Sequence, residues 1–205
     1  MAQDRREEPR ALVWEGLDEA RLEFALINLT PVELRASVTQ LGTSPIPYRL
    51  SYELTTATGF RTQELVAVAE GAGWRRRLEL RRGADGAWSS IVESKGEAAL
   101  HPVEDLPDLS DTIDCDVGRS PLTNTLPVLR LGLLEGGAAE LAMAWVSVPD
   151  LRVLRSEQRY EFVSAEHGQV IIRYVGRHRS YVGDLTFDRD GLVLDYPDLA
   201  RRLLR

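Results

Sequence analysis

The sequence contains few of the residues that commonly carry catalysis or cross-links. Its 205 residues include 1 cysteine, 3 histidines and 2 methionines. The single Cys115 excludes an internal disulfide and permits a reducing compartment. Lys95 is the only lysine, so arginine carries nearly all the positive charge. A net charge of -7 with a pI of about 5.1 argues against nucleic acid as a partner, because nucleic-acid-binding proteins usually present a basic face.

Long hydrophobic runs are also missing. The longest, such as residues 141–146, are far shorter than the roughly 20 residues that a membrane-spanning helix needs, so we expect no integral membrane association. Residues 1–10 carry charges but no apolar core of a secretory signal, which predicts a cytoplasmic protein. We expect a disordered tail over residues 1–10 and a single domain over residues 11–205.

No catalytic or cofactor fingerprint is present. The sequence has no nucleophile elbow, no phosphate-binding loop and no dinucleotide-binding glycine pattern. His101, His167 and His178 are widely separated, and Cys115 has no evident histidine partner. We therefore predict no catalytic residue, no metal and no cofactor.

Most of the chain has the two-residue period of β-strands. Leu22, Phe24 and Leu26 alternate with polar or small neighbours, and residues 32–38 and 48–54 repeat this pattern. Asp-Gly turns at residues 83–86 and 188–191 predict tight hairpins. Closely spaced hairpins give antiparallel strands, so we predict a mainly β (α+β) fold built on a large antiparallel sheet.

One helix is expected inside this β context. Its apolar stripe is formed by Leu122, Leu126, Leu129 and Leu133. Pro127 has no N–H and is tolerated in a first turn, which places the helix start near Thr123 or Asn124, with either residue as N-cap. We predict a second, short helix at the C-terminus, over residues 198–204.

The segment after the first helix, residues 139–148, is almost continuously apolar and should be covered on both faces. Met143 and Trp145 lie on one face of this strand, whereas Ala142 and Ala144 lie on the other. The small face leaves room either for close docking of the helix or for a ligand cavity.

A specific motif lies around the helix start. It consists of Cys115, Asp116, Ser120-Pro121, Thr123, Asn124, Thr125, Leu126 and Pro127. With flanking pieces such as Leu22-Glu23 and residues 158–160, this motif resembles the family named "Putative glycolipid-binding". The resemblance covers nearly all of the chain after residue 10. It departs at Asp114 and Gly118, where the family often has a glycine and a second acid. It also departs after Pro127, where the family often has two consecutive arginines and this chain has Leu129 before a single Arg130.

The resemblance implies a fold and a function. The fold is an open half-barrel of antiparallel strands curled around one central helix, similar to Lol-type lipoprotein carriers. The function is non-catalytic binding of a lipid or glycolipid on the concave face of the sheet. Candidate ligand-binding residues are Asn124, Arg130, Trp145, Gln158, Tyr160 and Tyr174.

Each candidate has a structural alternative. Asn124 suits a sugar hydroxyl but is also a good N-cap. Arg130 suits an anionic head group or an ion pair with Asp116 or another buried acid. Gln158 and Tyr160 share a strand face with Phe162, which fits a ligand strip or simple core.

Two further alternatives concern the acids. Asp114 and Asp116 share one face of an extended segment, and we interpret them as a solvated acidic loop rather than a metal site. An enzyme acting on a hydrophobic or glycosyl substrate, with Asp116 or Asp195 as general acid or base, is an alternative function. An interaction module with a filled core is another.

Overall fold

The computed structural model describes residues 9–203, which form one sheet of 14 strands and one short α-helix. The first half of the sheet contains β1 (Arg10–Gly16), β2 (Arg21–Leu29), β3 (Leu34–Gly42), β4 (Tyr48–Ala57), β5 (Arg61–Gly71), β6 (Trp74–Arg82) and β7 (Trp88–Gly96). The second half contains β8 (Thr112–Val117), β9 (Ala138–Val146), β10 (Val153–Glu166), β11 (Gln169–Gly176), β12 (Tyr181–Asp188), β13 (Val193–Tyr196) and β14 (Ala200–Arg202). Helix α1 (Thr125–Arg130) lies between β8 and β9.

The spatial order of the strands is β7-β6-β5-β4-β3-β2-β1-β14-β13-β12-β11-β10-β9-β8. Every neighbouring pair is antiparallel except β8 and β9, which are parallel. The sheet is curved but does not close into a barrel. The predicted mainly β fold with an open half-barrel and a central helix is therefore confirmed. Among residues 9–203, no helix combines the length and apolarity needed to cross a bilayer.

Along each strand, alternate side chains point to the inner face of the sheet. In β2 the more apolar set of side chains points outward, and the set that contains Glu23 points inward. Leu22, Phe24 and Leu26 are 45%, 41% and 43% exposed, whereas Glu23 and Ile27 are buried. A single-residue change of register would exchange the two faces. This register is stable because Glu23 finds hydrogen-bond donors in the protein interior. The apolar side chains of the other face remain exposed.

The interior of the half-barrel is filled by its own last strands. β8 contacts β5 on one side, where Cys115 N donates to Thr62 Oγ1 at 2.9 Å. It contacts β10 on the other side through Asp116 and Gln158. The sheet therefore curls until β8 lies between its two halves, and both faces of this edge become buried.

Helix α1 and the turn before it pack in the same interior. Leu122, Leu126 and Ala144 belong to one apolar cluster. Val128 and Leu133 belong to a second cluster formed mainly by β10 to β13. The small face of β9 therefore favours helix docking over a ligand cavity at Ala144.

Side chains satisfy the unpaired edge of β8. Cys115 N is bound by Thr62, and Val117 N donates to Thr123 Oγ1 at 3.1 Å. The carbonyl of Thr112 accepts from Arg82 and from Trp88. These bonds replace a missing neighbouring strand, since buried backbone groups are strongly destabilising when left unpaired.

The predicted C-terminal helix is wrong. Asp198 has a φ of 62°, which forms a turn, and Ala200–Arg202 is strand β14. This strand fills the gap between β1 and β13, whose backbone groups would otherwise lack partners there. The last residue of that predicted helix, residue 204, lies outside the described residues, as do residue 205 and residues 1–8 of the predicted tail.

The inner face can be tested with two neighbouring residues on β2. We expect Ile27→Ala to lower the free energy of unfolding by about 2–5 kcal/mol, since its side chain is fully buried. Leu26→Ala is the matched control and should change it by less than about 1 kcal/mol. Urea denaturation measures both, and equal losses would contradict the assignment of faces.

Candidate functional site

The motif segment folds as a 3₁₀ turn (Leu122–Asn124) that continues directly into α1. Pro127 lies in the first turn of α1, as expected, and Gly132 with a φ of 66° follows its end. Asn124 occupies the N-cap position of α1, as predicted, but neither its side chain nor that of Thr123 makes a capping hydrogen bond. The backbone is already helical at Pro121, so both side chains are free to point into the interior.

Asp116 is the centre of a buried polar network. Its two carboxylate oxygens accept from Thr123 Oγ1 at 2.8 Å and from Gln158 Nε2 at 2.7 Å. Tyr160 Oη donates to Gln158 Oε1 at 2.9 Å, and Asn124 Nδ2 donates to Tyr160 Oη at 2.8 Å. All five residues are buried. The structure thus brings Asn124, Gln158 and Tyr160 together, but inside the protein.

A second buried network surrounds Glu23. Ser120 Oγ donates to Glu23 Oε1 at 2.7 Å, and Gln40 Nε2 donates to Glu23 Oε2 at 2.8 Å. Tyr48 binds Gln40, and Tyr52 shares a hydrogen bond with Ser120. Burial raises the pKa of Glu23 to about 7, although these hydrogen bonds oppose the shift. No role for Glu23 was expected from the sequence; the only signal was an acid on an otherwise apolar strand.

Arg130 is paired with Asp114. Its Nε and Nη2 donate to Asp114 Oδ2 at 3.0 and 2.7 Å. Burial raises the pKa of Asp114, and the Arg130 guanidinium opposes this shift. Interpreting Asp114 and Asp116 as a solvated loop is wrong, because both are buried in β8. Asp114 and Arg130, which both lie where the chain departs from the family pattern, are partners in one ion pair.

An aromatic pocket opens at one end of the sheet. Tyr160, Tyr174, Tyr196 and Tyr181 form a row whose neighbouring ring centroids lie 5.1, 5.8 and 5.5 Å apart. At the outer end of the row is a cavity of about 220 Å³, which we call the aromatic pocket. It is lined by Asp18, Arg179, Tyr181, Tyr196, Asp198 and Leu199. These residues come from the β1–β2, β11–β12 and β13–β14 turns and from the ends of the adjoining strands.

Trp145 lies beside this pocket. The guanidinium of Arg179 is 5.7 Å from the Trp145 ring centroid, and the His178 ring is 4.8 Å away. Trp145 Nε1 and Tyr174 Oη are buried without a hydrogen-bond partner within residues 9–203. His178 Nδ1 is 2.6 Å from Ser156 Oγ, and desolvation lowers the pKa of the imidazole. Two buried polar atoms without partners, Trp145 Nε1 and Tyr174 Oη, therefore lie close to Arg179, whose guanidinium is stacked on the Trp145 ring.

The predicted site residues divide into three groups. Asn124, Gln158, Tyr160 and Tyr174 form the buried layer behind the aromatic pocket, whereas Trp145 is beside it. Arg130 is elsewhere, in its ion pair. The lining residues Arg179, Tyr181 and Tyr196 were missed. Their signal was weak, because the turns that carry them are far apart in the sequence.

The remaining motif residues are buried and do not line the aromatic pocket. Thr125, Leu126 and Pro127 are buried in α1. Cys115 is fully buried, and burial raises the pKa of its thiol to about 12, so it is not a thiolate nucleophile at neutral pH. Within residues 9–203, no group of three or more histidine, cysteine or acidic side chains is arranged to hold a metal ion.

Comparison with known proteins agrees with this fold and motif. The model of the family described as "Putative glycolipid-binding" matches residues 11–202. The chain belongs to this family. A similar solved structure is that of a DUF1089 family protein from Pseudomonas aeruginosa, with 27% sequence identity and a TM-score of 0.66. The match covers 88% of this chain and 92% of that one. A search of curated proteins finds no significant match.

The raised pKa of Glu23 predicts a pH-dependent stability. Between its usual value of 4.5 and about 7, the folded chain holds a proton that the unfolded chain has released. The free energy of unfolding should therefore fall as pH rises through this range, by about 3 kcal/mol from this group. Urea denaturation at pH 5 and pH 8 measures the change. Glu23→Gln should remove this contribution, whereas the exposed control Glu53→Gln should keep it; the same slope in all three proteins would contradict the assignment.

The Arg130–Asp114 pair predicts a non-additive pair of substitutions. Arg130→Met leaves a buried carboxyl without its partner and should cost about 3–5 kcal/mol of unfolding free energy. Adding Asp114→Leu removes that carboxyl and should recover most of the loss. Urea denaturation of both variants measures this, and a double variant no more stable than Arg130→Met would refute the coupling.

Proposed function

We propose that this chain is a non-catalytic binding protein for a lipid or glycolipid, and that a sugar head group enters the aromatic pocket. The observation that carries this proposal is the pocket's combination of two tyrosine rings with Arg179 and two aspartates. The family description points to the same class of ligand. The pocket is at one end of the concave face rather than within it.

The chemistry of the lining suits a sugar. Tyr181 and Tyr196 offer ring surfaces to the C–H face of a sugar, with their ring centroids 5.5 Å apart. Arg179 and Asp198 offer charged partners for hydroxyls, and Asp18 offers the carboxylate oxygen that is not bound by Arg21 at 3.0 Å. Hydrogen bonds to charged groups contribute about 1.5–3 kcal/mol each. A cavity of about 220 Å³ has room for one sugar ring. It is too small for a ring and a long acyl chain together.

The acyl chain of such a ligand would lie outside the filled interior. Exposed Leu17 and Val182 directly adjoin Asp18 and Tyr181 in the chain and offer apolar surface next to the pocket. Burial of ten methylenes would contribute about 8 kcal/mol, against an association cost of roughly 4–15 kcal/mol. Head-group contacts are therefore needed for useful affinity.

The residues behind the pocket have a supporting role in this proposal. Tyr174 packs against Tyr196 at 5.8 Å, and Tyr160 packs against Tyr174 at 5.1 Å. Tyr160 is in turn fixed by Asn124 and Gln158. This buried layer would keep the pocket rings in place before a ligand arrives, which lowers the entropic cost of binding. The proposal includes a cytoplasmic location, consistent with the single buried thiol of Cys115.

The filled interior favours a second candidate, an interaction module without a lipid ligand. Helix α1 and strand β8 occupy the concave side with apolar side chains. The enzyme alternative has less support, because the lining of the aromatic pocket contains neither Asp116 nor Asp195. Asp116 is bound by Thr123 and Gln158, and Asp195 is paired with Arg201.

Native mass spectrometry of the purified protein, with denaturing extraction of any bound lipid, tests the proposal directly. We expect a defined adduct that is lost on denaturation and contains a sugar. Tyr181→Ala should weaken binding of octyl glucoside about tenfold in calorimetry, since it removes one ring of the pocket.

Phe24→Ala is the matched control, because Phe24 is an exposed aromatic residue on β2. It should leave octyl glucoside affinity unchanged. Equal affinities in Tyr181→Ala and the wild type would exclude this pocket as the sugar site. A protein free of any adduct that also binds no octyl glucoside would favour the interaction module.

A further inference from the structure

A second cleft is present at the opposite end of the sheet, where β2 ends rather than begins. It has a volume of about 350 Å³, within the range of small-molecule sites. It is lined by Leu29, Thr30, Pro31, Phe60, Leu129, Arg189 and Asp190. Its walls are the β2–β3, β4–β5 and β12–β13 turns, and Leu129 at the end of α1 contributes to the lining. We call it the Phe60 cleft.

One wall is held in a strained conformation. Phe60 has a φ of 59°, in the left-handed region that a bulky side chain rarely adopts. Its N–H and that of Gly59 both donate to Val32 O, at 3.2 and 2.8 Å, which ties the β4–β5 turn to the β2–β3 turn. The ring is thereby fixed in the cleft before any ligand binds. Such strain persists only where the surroundings enforce it, and it is concentrated at ligand sites.

The opposite wall is equally well fixed. Gly191 is pressed against Leu129, since a Cβ at this position would lie 2.6 Å from Leu129 Cδ2. Asp188 Oδ1 accepts from Asp190 N at 3.0 Å and from Leu192 N at 2.9 Å, which closes the β12–β13 turn. The cleft therefore has two preformed walls and an apolar Leu129 side chain beside them.

Of the polar and charged residues that line the cleft, only Arg189 has a side chain without a partner within residues 9–203. Thr30 Oγ1 is used within its own turn, where it accepts from Glu33 N at 3.0 Å. Asp190 is neutralised by Arg10, whose Nη1 is 2.6 Å from Asp190 Oδ2. Arg189 makes no salt bridge within residues 9–203, and its guanidinium lies over Gly168, where the absence of a Cβ leaves room. The cleft thus combines the apolar side chains of Leu29, Phe60 and Leu129 with one cation that has no salt-bridge partner within residues 9–203. This combination is complementary to a single alkyl chain with an anionic head group.

The geometry points to a second ligand site in the Phe60 cleft, which binds an amphipathic anion. Its alkyl chain contacts Leu29, Phe60 and Leu129, and its carboxylate or phosphate pairs with Arg189. This site is independent of the aromatic pocket. The two are at opposite ends of the strands, and their linings share no residue.

Isothermal titration with hexanoate, octanoate, decanoate, octyl phosphate and octyl glucoside tests this site. Affinity for the carboxylates should rise about fourfold for each methylene that enters the cleft and stop rising when it is full. Arg189→Gln should weaken both octanoate and octyl phosphate at least tenfold. The tighter of these two ligands identifies the preferred head group.

Arg173→Gln is the matched control, because Arg173 is also an exposed arginine but is paired with Asp184. It should leave octanoate binding unchanged. Octanoate affinity that is unaffected by Arg189→Gln would overturn the proposal. An equal loss of octanoate and octyl glucoside affinity in Arg189→Gln would also overturn it, because the uncharged glucoside has no anion to pair with Arg189. So would loss of octanoate binding in Tyr181→Ala, since the anion would then occupy the aromatic pocket. Absence of octanoate and octyl phosphate binding to the wild type would also refute it.

Discussion

Two buried carboxylates determine how the interior of this protein is built. Glu23 belongs to β2 and Asp116 to β8, and each accepts a hydroxyl hydrogen bond from the segment between β8 and α1. Ser120 donates to Glu23, and Thr123 donates to Asp116. A buried acid is costly without such donors, so the segment can occupy only the position in which both are served. The start of α1 is fixed as a result, and with it the packing of the helix inside the sheet.

This filled interior explains why both candidate sites are at the ends of the sheet. The concave face is used by β8, β9 and α1 for packing, which leaves little open apolar surface between the two halves. The turns at either end are carried by rigid strands but are not themselves covered. Sites on such turns combine preformed geometry with access to ligand. The aromatic pocket and the Phe60 cleft both follow this principle, although their linings differ in chemistry.

The sequence predicts the strands and turns of the fold better than it predicts which side chains are buried and what they contact. Alternation and Asp-Gly turns predict the strands and hairpins because these signals are local. The inner face of β2 was not evident, since Leu22 and Phe24 are more apolar than the buried Glu23. A local pattern cannot show that distant residues such as Gln40 and Ser120 supply donors to that acid. Similarly, the sequence suggested that Asp114 is solvated, because it does not show that Arg130 lies beside this carboxylate in the folded chain.

The candidate site was predicted only in its buried layer. Asn124, Gln158 and Tyr160 were predicted as ligand-binding residues, and the structure joins them by hydrogen bonds in the buried layer behind the pocket. Arg179 and Asp18 come from turns and Tyr181 from the start of β12, and only the strand order brings these residues together. Sequence spacing carries no information about that order. Conformation is similarly hidden, since nothing in the sequence indicates the left-handed φ of Phe60.

The edges of the sheet limit how copies of this protein can associate. β8 is one edge, and Thr62, Thr123, Arg82 and Trp88 already occupy its backbone groups. β7 is the other, and it carries Lys95, a charge of the kind that discourages strand addition at an edge. Among residues 9–203, β7 is the one edge strand whose backbone groups are not occupied in this way, so any pairing of strands could join two copies at most. Association through strands would therefore end at a closed pair and could not extend into a fibre.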